Sequence, residues 1–413
     1  MKIFKFGGAS VKSDTAIRNV GQIIKRFPHH KLLIVVSAID KTTNALEEVV
    51  YQNLLGKPYE ALLDSIVAFH SSIAQKLFDH SHPIQHYLDE WRSLVINQLR
   101  QSYTRDEMYD QVVSMGEVLS SKIVYEALKQ ENITITWIDA REYIVTDQNY
   151  RDASVHWEET KKRIKNIEKT LESSIVITQG FIGRADNGKT TTLGREGSDF
   201  SAAIFGSCLK AESVTIWKDV PGVMNADPKK LKAAVTFEEL PFQEAAEMTY
   251  YGASVIHPKT IKPLANALIP LYVRSFDQPD QPGTVIHECH VDQLPPLIVI
   301  KENQCLISCK VTDYTFIDEQ QLSSIFGALS SRKIKINVMQ NSAISFSFCV
   351  DFREDKVVGL INELSNNFEV YYNANLTLIT IKNYDQKTYD EYRNRPGIIL
   401  EQSSRSTLQL LIK

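Results

Sequence analysis

Two short segments carry the side chains best suited to chemistry on anions. In Thr190-Thr191-Thr192-Leu193-Gly194-Arg195-Glu196-Gly197-Ser198-Asp199, a flexible loop, a cation, an anion and a helix start fall together. Backbone N–H groups at a helix start lack partners within the helix, so they favour an anion, and a guanidinium fork matches a carboxylate or phosphate in two places at once. At the other end of the chain, Lys5-Phe6-Gly7-Gly8-Ala9-Ser10 places a cation beside two glycines, which let the backbone come close to a ligand. Its spacing is neither that of the nucleotide-binding P-loop nor that of the dinucleotide Gly-x-Gly-x-x-Gly.

Elements to hold these segments are readable around them. Met1 to Phe6 alternates as a strand, and a helix is expected from about Asp14 to Arg26. Ser174 to Thr178 reads as a buried strand, Phe181-Ile182-Gly183 with the tip Asp186-Asn187-Gly188 as a hairpin, and Phe200 to Gly206 as a helix with Ser198 as its N-cap. Further strands are suggested at 32–36, 133–137, 213–217 and 270–274. Alternation with helices implies a largely parallel sheet covered on both faces. From about 56 to 130 only helical periodicity is found, which reads as a helical insertion; His80, His82 and His86, around Pro83, read as a solvated loop rather than a metal site.

Three more constellations lie in this part. Val35-Val36-Ser37-Ala38 ends a strand, and Asn44 with Glu47 reads as a capping box next to Thr43. Ser114-Met115-Gly116-Glu117 puts a glycine inside a helical stretch, where it costs about 1 kcal/mol unless something approaches closely. Trp217-Lys218-Asp219 leaves a strand into a charged loop that continues to Asp227-Pro228-Lys229, at the end of a parallel strand where open α/β sheets bind ligands.

A length of 413 residues suggests about three ordinary domain sizes. The hydrophobic share of 43% is that of a packed globule, and the net charge of -4 argues against nucleic acid as a partner. No signal-peptide pattern or membrane-length apolar run is read, so a cytoplasmic location is expected. Five cysteines without paired short spacing signal neither disulfides nor zinc. Composition shifts at Asp292-Gln293-Leu294-Pro295-Pro296, and beyond it strands at 306–311, 334–339, 344–350 and 376–381 with helices at 319–329 and 356–364 describe a split βαβ module. A weaker half-copy ends in Thr407 to Ile412.

Taken in order, Lys5 to Ser10, Thr178-Gln179-Gly180-Phe181-Ile182-Gly183, Thr191 to Asp199, Ile216 to Pro228 and Tyr251-Gly252-Ala253-Ser254-Val255-Ile256-His257-Pro258 resemble the aspartokinases, amino-acid kinases with C-terminal ACT domains. The resemblance covers essentially the whole chain. It implies an α/β amino-acid kinase fold over 1–290, a mostly parallel sheet sandwiched by helices, followed by α+β, ferredoxin-like ACT domains over 297–413 with a shortened second copy. It also implies transfer of the ATP γ-phosphoryl group to the side-chain carboxylate of L-aspartate, the first step of lysine, threonine and methionine synthesis. By the same resemblance Lys5 and Asp199 are catalytic, and Thr43, Glu117, Arg195 and Ser198 bind aspartate. ATP is assigned to Lys5, Gly7, Gly8, Ser37, Lys218, Asp219, Met224, Asp227 and Lys229. Mg2+ is expected to arrive with ATP, with no protein side chain assigned to it.

For the tail, the resemblance implies a homodimer through the ACT-like region and a lysine or threonine effector near Asp313, Thr315, Asp318, Asn341, Ser342 and Ile344. Departures from the family pattern are visible. Ser254 stands where many members have lysine, Glu196 replaces a frequent glycine, Glu319-Gln320-Gln321-Leu322 replaces a usual Gly-Phe-Leu run, and Ala343 stands where glutamate is common. Two rival readings are another amino-acid kinase, for glutamate or a nucleoside monophosphate, and a catalytically silent amino-acid sensor. The ACT-like tail and Ser114 to Glu117 disfavour the first; retention of Lys5, Arg195 and Asp199 disfavours the second.

Overall fold

A computed structural model describes residues 1–28, 31–252, 256–312 and 315–413; Ser254 and Asp313 lie outside the described residues. The chain divides into two compact units. The first comprises Met1–Val223, Thr236–Thr249 and residues 256–291, and the second Met224–Val235, residues 250–252 and Asp292–Lys413.

In chain order the first part runs β1 (Lys2–Phe6), α1 (Asp14–Lys25), β2 (Leu32–Val36), α2 (Thr42–Leu54), α3 (Glu60–Leu77), α4 (Pro83–Leu99), α5 (Arg105–Gln130), β3 (Ile135–Trp137) and β4 (Val145–Thr146). It continues through α6 (Trp157–Lys165), β5 (Ile175–Gln179), β6 (Ile182–Ala185), β7 (Thr190–Thr192), α7 (Gly197–Cys208) and β8 (Ser213–Lys218). Then come β9 (Glu239–Pro241), α8 (Phe242–Tyr251), α9 (Pro258–Asn266), β10 (Leu271–Ser275) and β11 (Thr284–His287). Among the described residues, eight strands form one sheet in the order β3-β5-β2-β1-β8-β10-β11-β9, parallel from β3 to β10. β2 is Leu-Leu-Ile-Val-Val and buried at every position, as a strand covered on both faces must be. Phe4, Phe6, Trp217 and Phe276 meet edge-to-face or stacked and fill the core beside the sheet.

The parallel register is what gathers the site. Phe6 pairs with both Val36 and Trp217, and Val36 pairs with Gln179, so the carboxyl ends of β1, β2, β5 and β8 lie side by side. The hairpin read at 181–192 is present as antiparallel β6 and β7. Helix α5 opens with a capping box between Thr104 and Glu107. Gly116 explains itself here: a Cβ would come within 3.0 Å of Leu46 and Thr42, so the glycine lets α2 press on α5.

Three local readings are corrected. α2 begins at Thr42, whose hydroxyl donates to Ile39 O, so Asn44 lies inside the first turn and no Asn44–Glu47 box forms. α7 is capped by Glu196 in the left-handed conformation, which brings the helix start forward and leaves Ser198 within its first turn. His82 caps α4 by accepting from Ile84 N, and His86 lies within that helix rather than in a loop.

The second unit runs β12 (Leu297–Lys310), α10 (Glu319–Ser331), β13 (Ile336–Asn341), β14 (Ser345–Asp351), α11 (Glu354–Leu364), β15 (Glu369–Lys382), α12 (Gln386–Arg393), β16 (Ile398–Ser403) and β17 (Thr407–Ile412). Its six-stranded antiparallel sheet has the order β13-β14-β12-β15-β17-β16. β12 and β15 are 14 residues each, longer than their apolar runs predict, because each pairs along its length with the other across an irregularity between Lys301 and Leu306. Cys305 and Cys309 are buried against Phe346 and Phe348, as small hydrophobes. Met224–Val235 joins this unit through an Ala226–Ile298 bridge and through Asn225, whose amide donates to Pro296 O at 2.9 Å. Among the described residues no helix is long and apolar enough to cross a membrane.

Candidate active site

A polar cavity of about 520 Å³ opens where the first unit's parallel strands end. Lys5 reaches it from β1, Ser37 from the end of β2, Lys218 from the end of β8, and Thr43 and Glu117 from α2 and α5. Arg195, Ser198 and Asp199 enter from the loop and first turn of α7. Gly8 lines it as well; a Cβ there would meet Asp40 O at 2.6 Å and Ala38 O at 2.8 Å, so only glycine allows the first loop to lie against the second. A Cβ on Gly7 would lie 3.4 Å from Lys5 Nζ.

At its centre is a buried charge cluster. Asp199 Oδ1 lies 2.6 Å from Lys5 Nζ, and Oδ2 lies 3.3 Å from Lys218 Nζ. Asp199 is 2% exposed. Burial alone would push its carboxyl up, but Lys5 and then Lys218 hold it below the usual range, so it stays ionised. Each lysine is thus fixed at its head by a carboxylate that cannot leave. That is a preorganised pair of cations facing the polar cavity.

Glu117 forms the second centre. It is 2% exposed and accepts hydrogen bonds from Ala38 N at 2.7 Å and Thr43 Oγ1 at 3.3 Å. Burial pushes its carboxyl up to about 8, against the opposing Ala38 N–H, Lys5 and Thr43. A carboxyl with a raised folded pKa contributes stability below its ordinary 4.5 that is lost as pH rises through about 8. Glu117→Gln is therefore expected to unfold at a higher temperature than the parent at pH 8.5, by up to a few kcal/mol in stability, with the gap closing near pH 4.5. Melting curves across that range check it, and a gap independent of pH contradicts it.

Asp110 does not line the cavity but holds its walls. Its oxygens accept from Arg151 N at 3.1 Å, Thr192 N at 2.8 Å and Thr192 Oγ1 at 2.7 Å, tying β7 and the 151 loop to α5. Burial pushes this carboxyl up to about 6, against those same hydrogen bonds. Arg151, at φ +69°, stacks its guanidinium 3.9 Å over the Tyr109 ring and pairs with Glu47 at 2.7 Å. Both Arg151 and Tyr109 line the cavity, as do Asp40 and Glu196, and no motif in the sequence marks any of the four as a site residue. The signal available for Arg151 was slight, a lone arginine in a polar loop.

The nucleotide run separates. Lys218 and Asp219 belong to the first unit, and Met224, Asp227 and Lys229 to the second, where Asp227 Oδ1 accepts from Lys229 N at 2.9 Å. In the tail, the stretch holding Thr315 and Asp318 meets the turn after Asn341: Ile317 N donates to Ala343 O at 2.9 Å, and Ser342 N to Ser345 O at 2.8 Å. Asp318 caps α10 by accepting from Gln321 N, and Ile344 O accepts from Val311 N. The cysteines hold one surprise. Cys289 lies with Glu239 and His287 so that their ligating atoms fall within 4.8 Å of one another, where His287 already shares a hydrogen bond with Glu239.

The sequence model of the amino acid kinase family matches residues 1–275. Lysine-sensitive aspartokinase 3 of Escherichia coli is 30% identical over 392 residues, spanning 92% of this chain and 86% of that protein. The chloroplastic bifunctional aspartokinase/homoserine dehydrogenase 1 of Zea mays is 32% identical over 379 residues, spanning 86% of this chain but 40% of that protein. The chain thus spans about two fifths of such plant bifunctional relatives. The crystal structure of E. coli aspartokinase III in complex with aspartate and ADP superposes with a TM-score of 0.85 at 27% identity, covering 100% of this chain and 96% of that one. With the parallel sheet, the charged cavity at its carboxyl edge and an antiparallel tail, these matches agree: the chain belongs to the amino acid kinase family and, within it, to the aspartokinases.

Proposed function

We propose that this chain transfers the γ-phosphoryl group of ATP to the side-chain carboxylate of L-aspartate, giving 4-phospho-L-aspartate. The observation that carries this is the buried Lys5–Asp199–Lys218 cluster sharing one cavity with Glu117 and Arg195. A carboxylate nucleophile is ionised at neutral pH, so the reaction requires no general base. What it requires is that two anions be brought together and the charge on the transferring group be matched. Lys5, with the Gly7 and Gly8 backbone, faces that group; Asp199 holds Lys5 and Lys218 in place; Ser37 supports the phosphates. Arg195 clamps a carboxylate of the amino acid, Glu117 receives its ammonium, and Thr43 and Ser198 complete the pocket. An incoming ammonium also restores charge to a carboxyl that burial has pushed up.

Magnesium accompanies the nucleotide, where it screens phosphate charge. The cavity fits a cation: Oε2 of Glu196 is buried without a hydrogen-bond partner among the described residues. The nucleotide roles of Asp219, Met224, Asp227 and Lys229 rest on the resemblance alone. ADP release measured with ATP and a panel of amino acids tests the reading: release with aspartate and not with glutamate supports it, and the reverse refutes it.

For the tail we propose a homodimer through the antiparallel unit, whose edge strand β13 leaves one side unpaired in the sheet order, and lysine as effector at the 315–318 and 341–344 contact. The E. coli relative is named lysine-sensitive, which supports lysine for this chain. Sedimentation equilibrium of the full chain is expected to give a dimer, and added lysine to lower the rate through a coupling of about 1 to 3 kcal/mol. A monomer, or a rate indifferent to lysine, contradicts the respective half.

A further inference from the structure

Glu196 is a cavity residue whose backbone and side chain are both at odds with their surroundings. Its backbone is left-handed, φ +53°, a region that favours glycine, yet it carries a carboxylate. That carboxylate turns into the charged cavity instead of out to solvent: Oε2 is buried and accepts no hydrogen bond from any described residue. Burial pushes the carboxyl up; the charges that act on it are Lys218, Asp199, Arg195 and Lys5, which line the same cavity. A strained backbone and an unsatisfied buried oxygen both oppose folding, and a cation accompanying the nucleotide would give that oxygen a partner.

We propose that Glu196 is a specificity-determining residue that makes nucleotide binding depend on the divalent cation, rejecting the metal-free polyphosphate. The inference rests on the kinase reading of this cavity. The cations Lys5 and Lys218 would otherwise attract any polyphosphate, and metal-free ATP, with about four negative charges against about two for its magnesium complex, would be attracted most. Asp199 cannot supply the discrimination, because both its oxygens are engaged by those lysines. Glu196 can, because its free oxygen repels bare phosphate and favours a phosphate that arrives with a cation between them. Aspartate is discriminated less, since it carries a single net negative charge and brings an ammonium for Glu117.

The test is equilibrium binding of ATP by calorimetry, once with excess magnesium and once with a chelator, to the parent chain and to Glu196→Gln. The parent is expected to bind the magnesium complex at least about thirtyfold more tightly than metal-free ATP. In E196Q, metal-free ATP is expected to bind about tenfold more tightly than in the parent while the magnesium complex changes less than about threefold. Glu196→Gly, which also relaxes the left-handed backbone, is expected to shift the metal-free value in the same direction and serves if E196Q folds poorly. If the parent binds magnesium-ATP but both variants keep its discrimination, or lose affinity for both forms equally, the assignment of Glu196 falls and the kinase reading stands. If the parent binds neither form, the kinase reading falls and takes this assignment with it.

Discussion

Lys5→Ala is expected to lower turnover by two to three powers of ten, the loss that removal of one preorganised charge of about 3 to 4 kcal/mol produces. The geometry sharpens that expectation. Lys5 Nζ sits 2.6 Å from a carboxylate that is itself buried, so the ammonium is held in place before any substrate arrives and contributes without reorganising. Removing it also leaves Asp199 with one cation, Lys218 at 3.3 Å, so the fold is weakened but keeps a counter-charge. The expected pattern is a large fall in kcat, a folded circular-dichroism spectrum and a melting temperature lower by several degrees. Asp199→Asn is expected to lose turnover as well, by releasing both lysines. A Lys5→Ala protein with near-normal kcat removes Lys5 from the mechanism.

Arg195→Lys is expected to raise the KM for aspartate more than about tenfold while leaving the affinity for ATP little changed. Arg195 lines the cavity, is exposed, and makes no hydrogen bond among the described residues, so its five donors are free for a ligand. Lysine keeps the charge and loses the planar fork. Because it removes no buried contact, its effect should fall on substrate and not on stability. A loss of ATP affinity with the aspartate KM unchanged would assign Arg195 to the nucleotide instead.

Most of the site's charge was legible because each motif carries its own local reason. Lys5 beside Gly7 and Gly8, and Arg195 near a helix start, are readable where they stand, and the parallel register of β1, β2, β5 and β8 then places them together. Arg151 and Tyr109 were not legible. Arg151 owes its position to Asp110, forty-one residues earlier, whose carboxylate accepts its N–H, and no local pattern encodes that pairing. Asn44 misled because its spacing to Glu47 imitates a capping box, whereas the preceding turn, closed by Thr42 onto Ile39, starts the helix three residues sooner. Ser198 misled in the same way, since the left-handed turn at Glu196 had no sequence signal other than a non-glycine residue where glycine is favoured. In the tail, β12 and β15 outrun their apolar patterns because the pairing of one with the other, not side-chain burial, extends them through polar positions such as Lys301 and Asn373.

In the proposed reaction the side-chain carboxylate of aspartate accepts the phosphoryl group. That transfer is tested most directly by incubating the full chain with ATP, magnesium, L-aspartate and hydroxylamine, which traps an acyl phosphate, and identifying the product by mass spectrometry and comparison with authentic hydroxamates. The expected product is the β-hydroxamate of aspartate, formed only when ATP and aspartate are both present and abolished by Lys5→Ala. A hydroxamate of glutamate in its place, or no hydroxamate from a folded protein that binds both substrates, would contradict the proposal.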